Sequence, residues 1–251
     1  MKRVGLSTAA LAAAAILLAG CGSTGDGTGK VAAAPSPSAD THGCLSQAQA
    51  AAGSFDLTTP GGPLGAYYRD SDAGHAKVGI VFAPQAGGSL CDWQPHYSAF
   101  TAAGYAVLGY LVGGNGPDDL RAAITRLKAE GVTEVALVGA SKGASAAIEV
   151  AADPASSPLP VRAVVSLSTP LSHPGESNAE KAVLVSRVPT FFAVEDRDGR
   201  FAEFAQQLHA AAVTPVKELR TYPGDHHGAP LLTDGALPDV QAFLTKNAPA
   251  R

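Results

Sequence analysis

A serine flanked only by small or linear residues, Gly139-Ala140-Ser141-Lys142-Gly143, stands directly after the apolar run at 134–138 and directly before an alanine-rich stretch. A hydroxyl attacks an acyl carbon only when a base takes its proton, so such a serine offers acyl-transfer chemistry if a histidine and a carboxylate join it. The chain supplies both downstream. Tyr222-Pro-Gly-Asp-His-His-Gly228 carries two candidate bases, His226 and His227, and the stretch after 194 carries three candidate acids, Glu195, Asp196 and Asp198. With 28 glycines in 251 residues, a G-x-S-x-G pattern arises easily by chance. Its place between an apolar run and a helical pattern is what gives it weight, because a serine in so tight a turn needs glycines two positions to either side. Other chemistries lack their residues. There is no H-E-x-x-H or C-x-x-C pairing, no P-loop and no G-x-G-x-x-G between a strand and a helix, so no metal and no nucleotide cofactor is expected.

The elements that must position these groups follow from periodicity. Short apolar runs at 78–83, 105–110, 134–138, 163–167, 190–194 and 216–221 read as strands. Between and after them, helical patterns fall at 96–103, 118–130 (with Pro117 suited to a first turn), 142–152, 201–212 and 239–247. Strands that are apolar almost throughout and alternate with helices define the α/β class. The expected architecture is a mostly parallel central sheet with helices on both faces. Ligands on such sheets bind beyond the carboxyl ends of the strands, where Ser141 and the 222–228 loop lie. No internal repeat is visible.

In this context the chain resembles the α/β-hydrolase family, and the resemblance runs over residues 60–248. It implies the order nucleophile, acid, base. It favours Ser141 as nucleophile and His227, which directly precedes Gly228, as base, with His226 as the rival. Asp198, nine residues after Pro189, is favoured as the acid over Glu195 and Asp196. The resemblance also implies an oxyanion hole built from the main-chain N–H of Lys142 and one from the loop Pro84-Gln85-Ala86-Gly87-Gly88. Pro84 has no N–H, which leaves Gln85 or Ala86. The chain departs from the family at two points. Many relatives carry a histidine where Pro84 stands, and often an aspartate in the turn that here reads 111–115. Only 168–188 separates the fourth parallel strand from the fifth, too short for a lid domain, so an open site is expected. Trp93 reads as packing.

The first twenty residues read as a leader instead of fold. Lys2 and Arg3 precede an apolar segment at 4–17, too short to span a bilayer comfortably, and Leu18-Ala19-Gly20-Cys21 resembles the bacterial lipobox. That implies lipidation on Cys21 and a protein anchored to a membrane of the cell envelope, facing away from the cytoplasm. Residues 21–43 are rich in Gly, Ser, Thr, Ala and Pro and read as a flexible tether, which leaves 44–251 as the single hydrolase domain. Two of the 18 basic residues fall in the leader, leaving 16 against 22 acidic ones, a net charge of −6. No basic cluster points to nucleic acid. Cys44 and Cys91 form an even pair in an exported domain and read as a disulfide.

The expected activity is hydrolysis of a small carboxylic ester through an acyl-enzyme. Two alternatives stay open: acyl transfer or amide or thioester cleavage by the same residues, and a catalytically silent binding module on the same fold.

Overall fold

The computed structural model describes residues 39–250. Cys21, the leader and the tether as far as residue 38 lie outside the described residues.

The chain enters through helix α1 (Gln47–Gly53), whose first turn is closed by a reciprocal capping box between Ser46 and Gln49. A hairpin follows, β1 (Ser54–Thr59) and β2 (Gly62–Arg69), turned at Pro60-Gly61. Then come β3 (Val78–Ala83), α2 (Tyr97–Ala102), β4 (Ala106–Tyr110), α3 (Gly116–Ala129), β5 (Glu134–Ala140) and α4 (Lys142–Ala152). The chain finishes with β6 (Val161–Leu167), the short α5 (Ala179–Ala182), β7 (Thr190–Glu195), α6 (Phe201–Ala211), β8 (Lys217–Tyr222) and α7 (Leu237–Asn247). One eight-stranded sheet runs in the order β1-β2-β4-β3-β5-β6-β7-β8. From β4 to β8 all pairings are parallel, and β1 and β2 are antiparallel additions on the β4 side. The order reverses at β3 and β5, which makes the crevice above these two strands the topological switch point.

The central strands β3 to β7 are buried on both faces. Along β5, Val135 and Leu137 point to one core, with Leu120, Ile124 and Ile148, while Ala136, Val138 and Ala140 point to the other, with Phe82, Trp93, Phe191 and Phe243. Trp93 is fully buried with its ring 5.2 Å from that of Phe82, the packing role expected of it. No described helix is long and apolar enough to cross a membrane.

Several elements depart from the expectation, including α1 and α5, where no helix is expected. The hairpin β1–β2 was not anticipated, because Gly62, Pro63 and Gly65 interrupt β2 and much of the hairpin is only half-buried, which blurs the alternation. The helix expected at 96–103 is preceded by two 3-10 turns, Leu90–Asp92 and Gln94–His96, with Pro95 in the second. The helix expected at 118–130 begins earlier, with Pro117 in its first turn as expected.

Cys44 and Cys91 are bonded, with their Cα atoms 5.6 Å apart. The bridge spans 47 residues of sequence and ties the domain's entry to the segment after β3. Closing a loop of that size removes about 4 kcal/mol of unfolded-chain entropy in the loop-closure treatment. Reduction of the bridge, or Cys44→Ala with Cys91→Ala, is therefore expected to lower stability by about 2–4 kcal/mol and Tm by about 5–15 °C, measured by calorimetry with and without reductant. An unchanged Tm would show the bridge to be energetically idle.

Candidate active site

Ser141 sits between β5 and α4 with φ 47° and ψ −113°, outside the regions that L-residues ordinarily occupy. The glycines at its flanks explain how the turn closes. A Cβ on Gly139 would strike the main chain of Gly143 and Ala144, and one on Gly143 would strike the carbonyls of Ala83 and Pro84. Close packing of β5, α4 and the loop after β3 thus requires both glycines. The backbone conformation costs about 1–3 kcal/mol and persists because its surroundings impose it. The Ser141 N–H donates to the Leu167 carbonyl at 2.8 Å, carrying the β5–β6 ladder into the turn.

His227 follows β8 in the loop leading to the 3-10 turn Ala229–Leu232. Its Nδ1 lies 3.0 Å from both carboxylate oxygens of Asp198. Asp198 is 6% exposed, whereas the imidazole is half-buried, with the Phe201 ring centroid 4.2 Å away. The rival acids are engaged elsewhere. Asp196 accepts the Gly224 N–H at 3.0 Å from an exposed position, and Glu195, wholly buried, accepts the His226 N–H at 2.7 Å. The rival base His226 is exposed and pairs with Asp234 at 2.9 Å, a contact that raises its pKa. Among the described residues no hydrogen bond joins the Ser141 hydroxyl to the His227 ring. Catalytic hydrogen bonds in free enzymes often tighten only with substrate bound.

The two halves of the expected oxyanion hole adjoin. In the β3–β5 register Ala83 stands opposite Gly139, so the 84–88 loop emerges beside the Ser141 turn. A turn closes that loop, with the Gly88 N–H on the Gln85 carbonyl at 2.9 Å and Gly87 at φ 72°. Ala86 is exposed and Gln85 half-buried. Lys142 opens α4, so its main-chain N–H has no partner within the helix.

Three side chains act in ways that the sequence did not disclose. The Gln85 Oε1 accepts the Ala229 N–H at 3.1 Å, pinning the histidine loop to the β3 loop. Ser168, a non-glycine at φ 50° just past β6, accepts the Gly228 N–H at 2.9 Å on its Oγ. Lys142 reaches back from the nucleophile turn with its Nζ 2.7 Å from both the Gly113 carbonyl and Glu176 Oε2, joining the loops after β4 and β6. Burial would raise the Glu176 carboxyl, but the Lys142 ammonium holds it below the ordinary carboxylate range. The one signal for these in the sequence was position, since each follows the carboxyl end of a parallel strand.

Between β6 and β7 the chain forms only a bridge, His173 to Ser177, and α5, so no domain covers the site from this segment.

No protein-family model matches the chain, and no curated protein does. Solved structures do. An esterase of Pyrococcus furiosus superimposes with a TM-score of 0.61 at 18% identity, over 77% of this chain and 90% of that one. A dienelactone hydrolase of Anabaena variabilis gives 0.61 at 18% identity, over 77% and 94%. An alpha-beta serine hydrolase homologue of Coxiella burnetii gives 0.59 at 19%, over 78% and 96%. At these identities what is shared is the fold.

Proposed function

We propose that this chain, which has the α/β-hydrolase fold, is a serine hydrolase that cleaves small carboxylic esters through an acyl-enzyme. The observation that carries the reading is the strained turn at Ser141, held open by two glycines that tolerate no side chain, in a fold whose neighbouring loop presents His227 bonded to Asp198. A backbone conformation that costs stability marks a functional turn, and here it favours one that exposes a nucleophile.

In this reading His227 takes the Ser141 proton as Oγ attacks the acyl carbon, and Asp198 holds the ring by Nδ1 and stabilises the imidazolium. The developing oxyanion receives the N–H of Lys142 and that of Gln85 or Ala86. The alcohol departs with the proton from His227. Water then enters, loses a proton to the same ring and releases the acid, restoring Ser141. The esterase and hydrolase names of the structural neighbours favour ester cleavage over the silent-module alternative. Lipidation of Cys21 would hold the enzyme on an envelope membrane, outside the cytoplasm, at the end of a tether.

Labelling with a fluorophosphonate tests the reading. One phosphonyl adduct is expected, on Ser141 by peptide mass spectrometry. Folded, oxidised protein that stays unlabelled would return the molecule to the class of binding modules.

A further inference from the structure

The fold gathers a second set of functional groups on the far side of the histidine loop. Glu195 ends β7, and Asp225 and His226 lie in the loop after β8. One ligand atom from each stands within 4.8 Å of the other two. Glu195 is fully buried, yet only one of its carboxylate oxygens is used, by the His226 N–H at 2.7 Å. The other, Oε1, is buried with no hydrogen-bond partner. Asp234 completes the group, with its Oδ2 2.9 Å from His226 Nδ1. The loop closes so tightly over Glu195 that a side chain on Gly224, at φ 152°, would collide with the carboxylate.

Three carboxylates therefore crowd one imidazole, and a buried carboxylate oxygen without a donor is costly to keep. A positive charge placed among them would offset that cost. A proton shared with the Asp234 carboxyl could serve that oxygen instead, and a metal ion would displace it. Calcium and magnesium take oxygen ligands almost alone, whereas an imidazole among carboxylates suits the first-row transition metals. The Asp234–His226 contact is of the kind that orients a metal-bound ring.

We propose that Glu195, Asp225 and His226 form a binding site for a divalent transition-metal ion of the zinc or manganese type, with Asp234 orienting the imidazole. The ion would fasten the end of β7, where the Asp198 turn begins, to the loop that carries His227. Its role is structural, and the proposal stands whether or not Ser141 is a nucleophile. The motifs that usually announce a metal are absent because the ligands come from the end of β7 and from the loop after β8, 30 residues apart.

The test is isothermal titration of the chelator-stripped, full-length protein with Zn2+ and with Mn2+, paired with thermal melting. One site per chain is expected for at least one of the two ions, and at a hundredfold excess over Kd, Tm should rise by about 5–10 °C. Glu195→Gln and His226→Ala should each weaken binding at least tenfold and abolish the rise. His226 is exposed, so its variant keeps the test decisive even if the Glu195 variant folds poorly. Absence of saturable binding by either ion would overturn the proposal, as would affinity unchanged in His226→Ala, or Ca2+ binding as tightly as either ion.

Discussion

Ser141→Ala is expected to lower kcat/KM for a short-chain aryl ester by about a thousandfold or more, with Tm essentially unchanged. Removing the nucleophile of a serine triad costs roughly that much at the least, because only the oxyanion donors and substrate binding remain. The neutral effect on stability follows from the structure. The hydroxyl has no hydrogen-bond partner among the described residues, so its loss leaves no buried donor or acceptor orphaned. Alanine bears the same backbone strain at φ 47° as serine does. Steady-state kinetics beside a melting curve would separate the two effects. A fall of less than tenfold would mean that the ester is cleaved elsewhere, and a large loss of Tm would mean that Ser141 is structural.

Asp198→Asn should be nearly as damaging, a fall of about 10^4 in kcat, through a different cause. Both oxygens of Asp198 face His227 Nδ1 at 3.0 Å, so the carboxylate fixes which ring nitrogen carries the proton. An asparagine can turn its amide N–H toward Nδ1 and stabilise the wrong tautomer, leaving the nitrogen toward the serine protonated and unable to act as a base. Asp196→Asn is the control. That carboxylate is exposed and accepts only the Gly224 N–H and the distant Arg197, so its removal should change kcat by less than about tenfold. Reversal of the two effects would move the acid to Asp196.

How much of this was legible beforehand depended on how local the cause was. The helix expected at 142–152 has the bounds of α4, and Gly139 could be read as a steric necessity because the atoms that a side chain there would strike are only a few residues away, whereas those that crowd Gly143 lie in Ala83 and Pro84, at the end of β3. The placement of Asp198 against His227 required the resemblance as well as the residues, since three acids and two histidines competed at similar spacings. Other contacts left no trace in the sequence. Gln85 meets Ala229 across 144 residues and Ser168 meets Gly228 across 60, and nothing near either residue signals its partner. Lys142 was read only for its main-chain N–H. Its side chain, closed over by Glu176 and Gly113, emerges only when three loops are in place. The β1–β2 hairpin escaped because glycine and proline dilute its apolar alternation, although the strands still pair in register from Thr59–Gly62 back to Ser54–Tyr67.

The sheet is open at both ends, and an open end is an invitation for another chain to add a strand. The two ends are guarded differently. On β8, Lys217, Glu218 and Arg220 stand along the free edge, so a neighbour aligning there would have to desolvate charges of both signs. On β1, Arg126 of α3 lies 4.0 Å from the centre of the Phe55 ring, and Asp56 is exposed beside it, so a strand aligning there would meet a cation and a carboxylate. Eight strands without closure into a barrel can thus coexist with many copies crowded side by side, each sheet ending on itself.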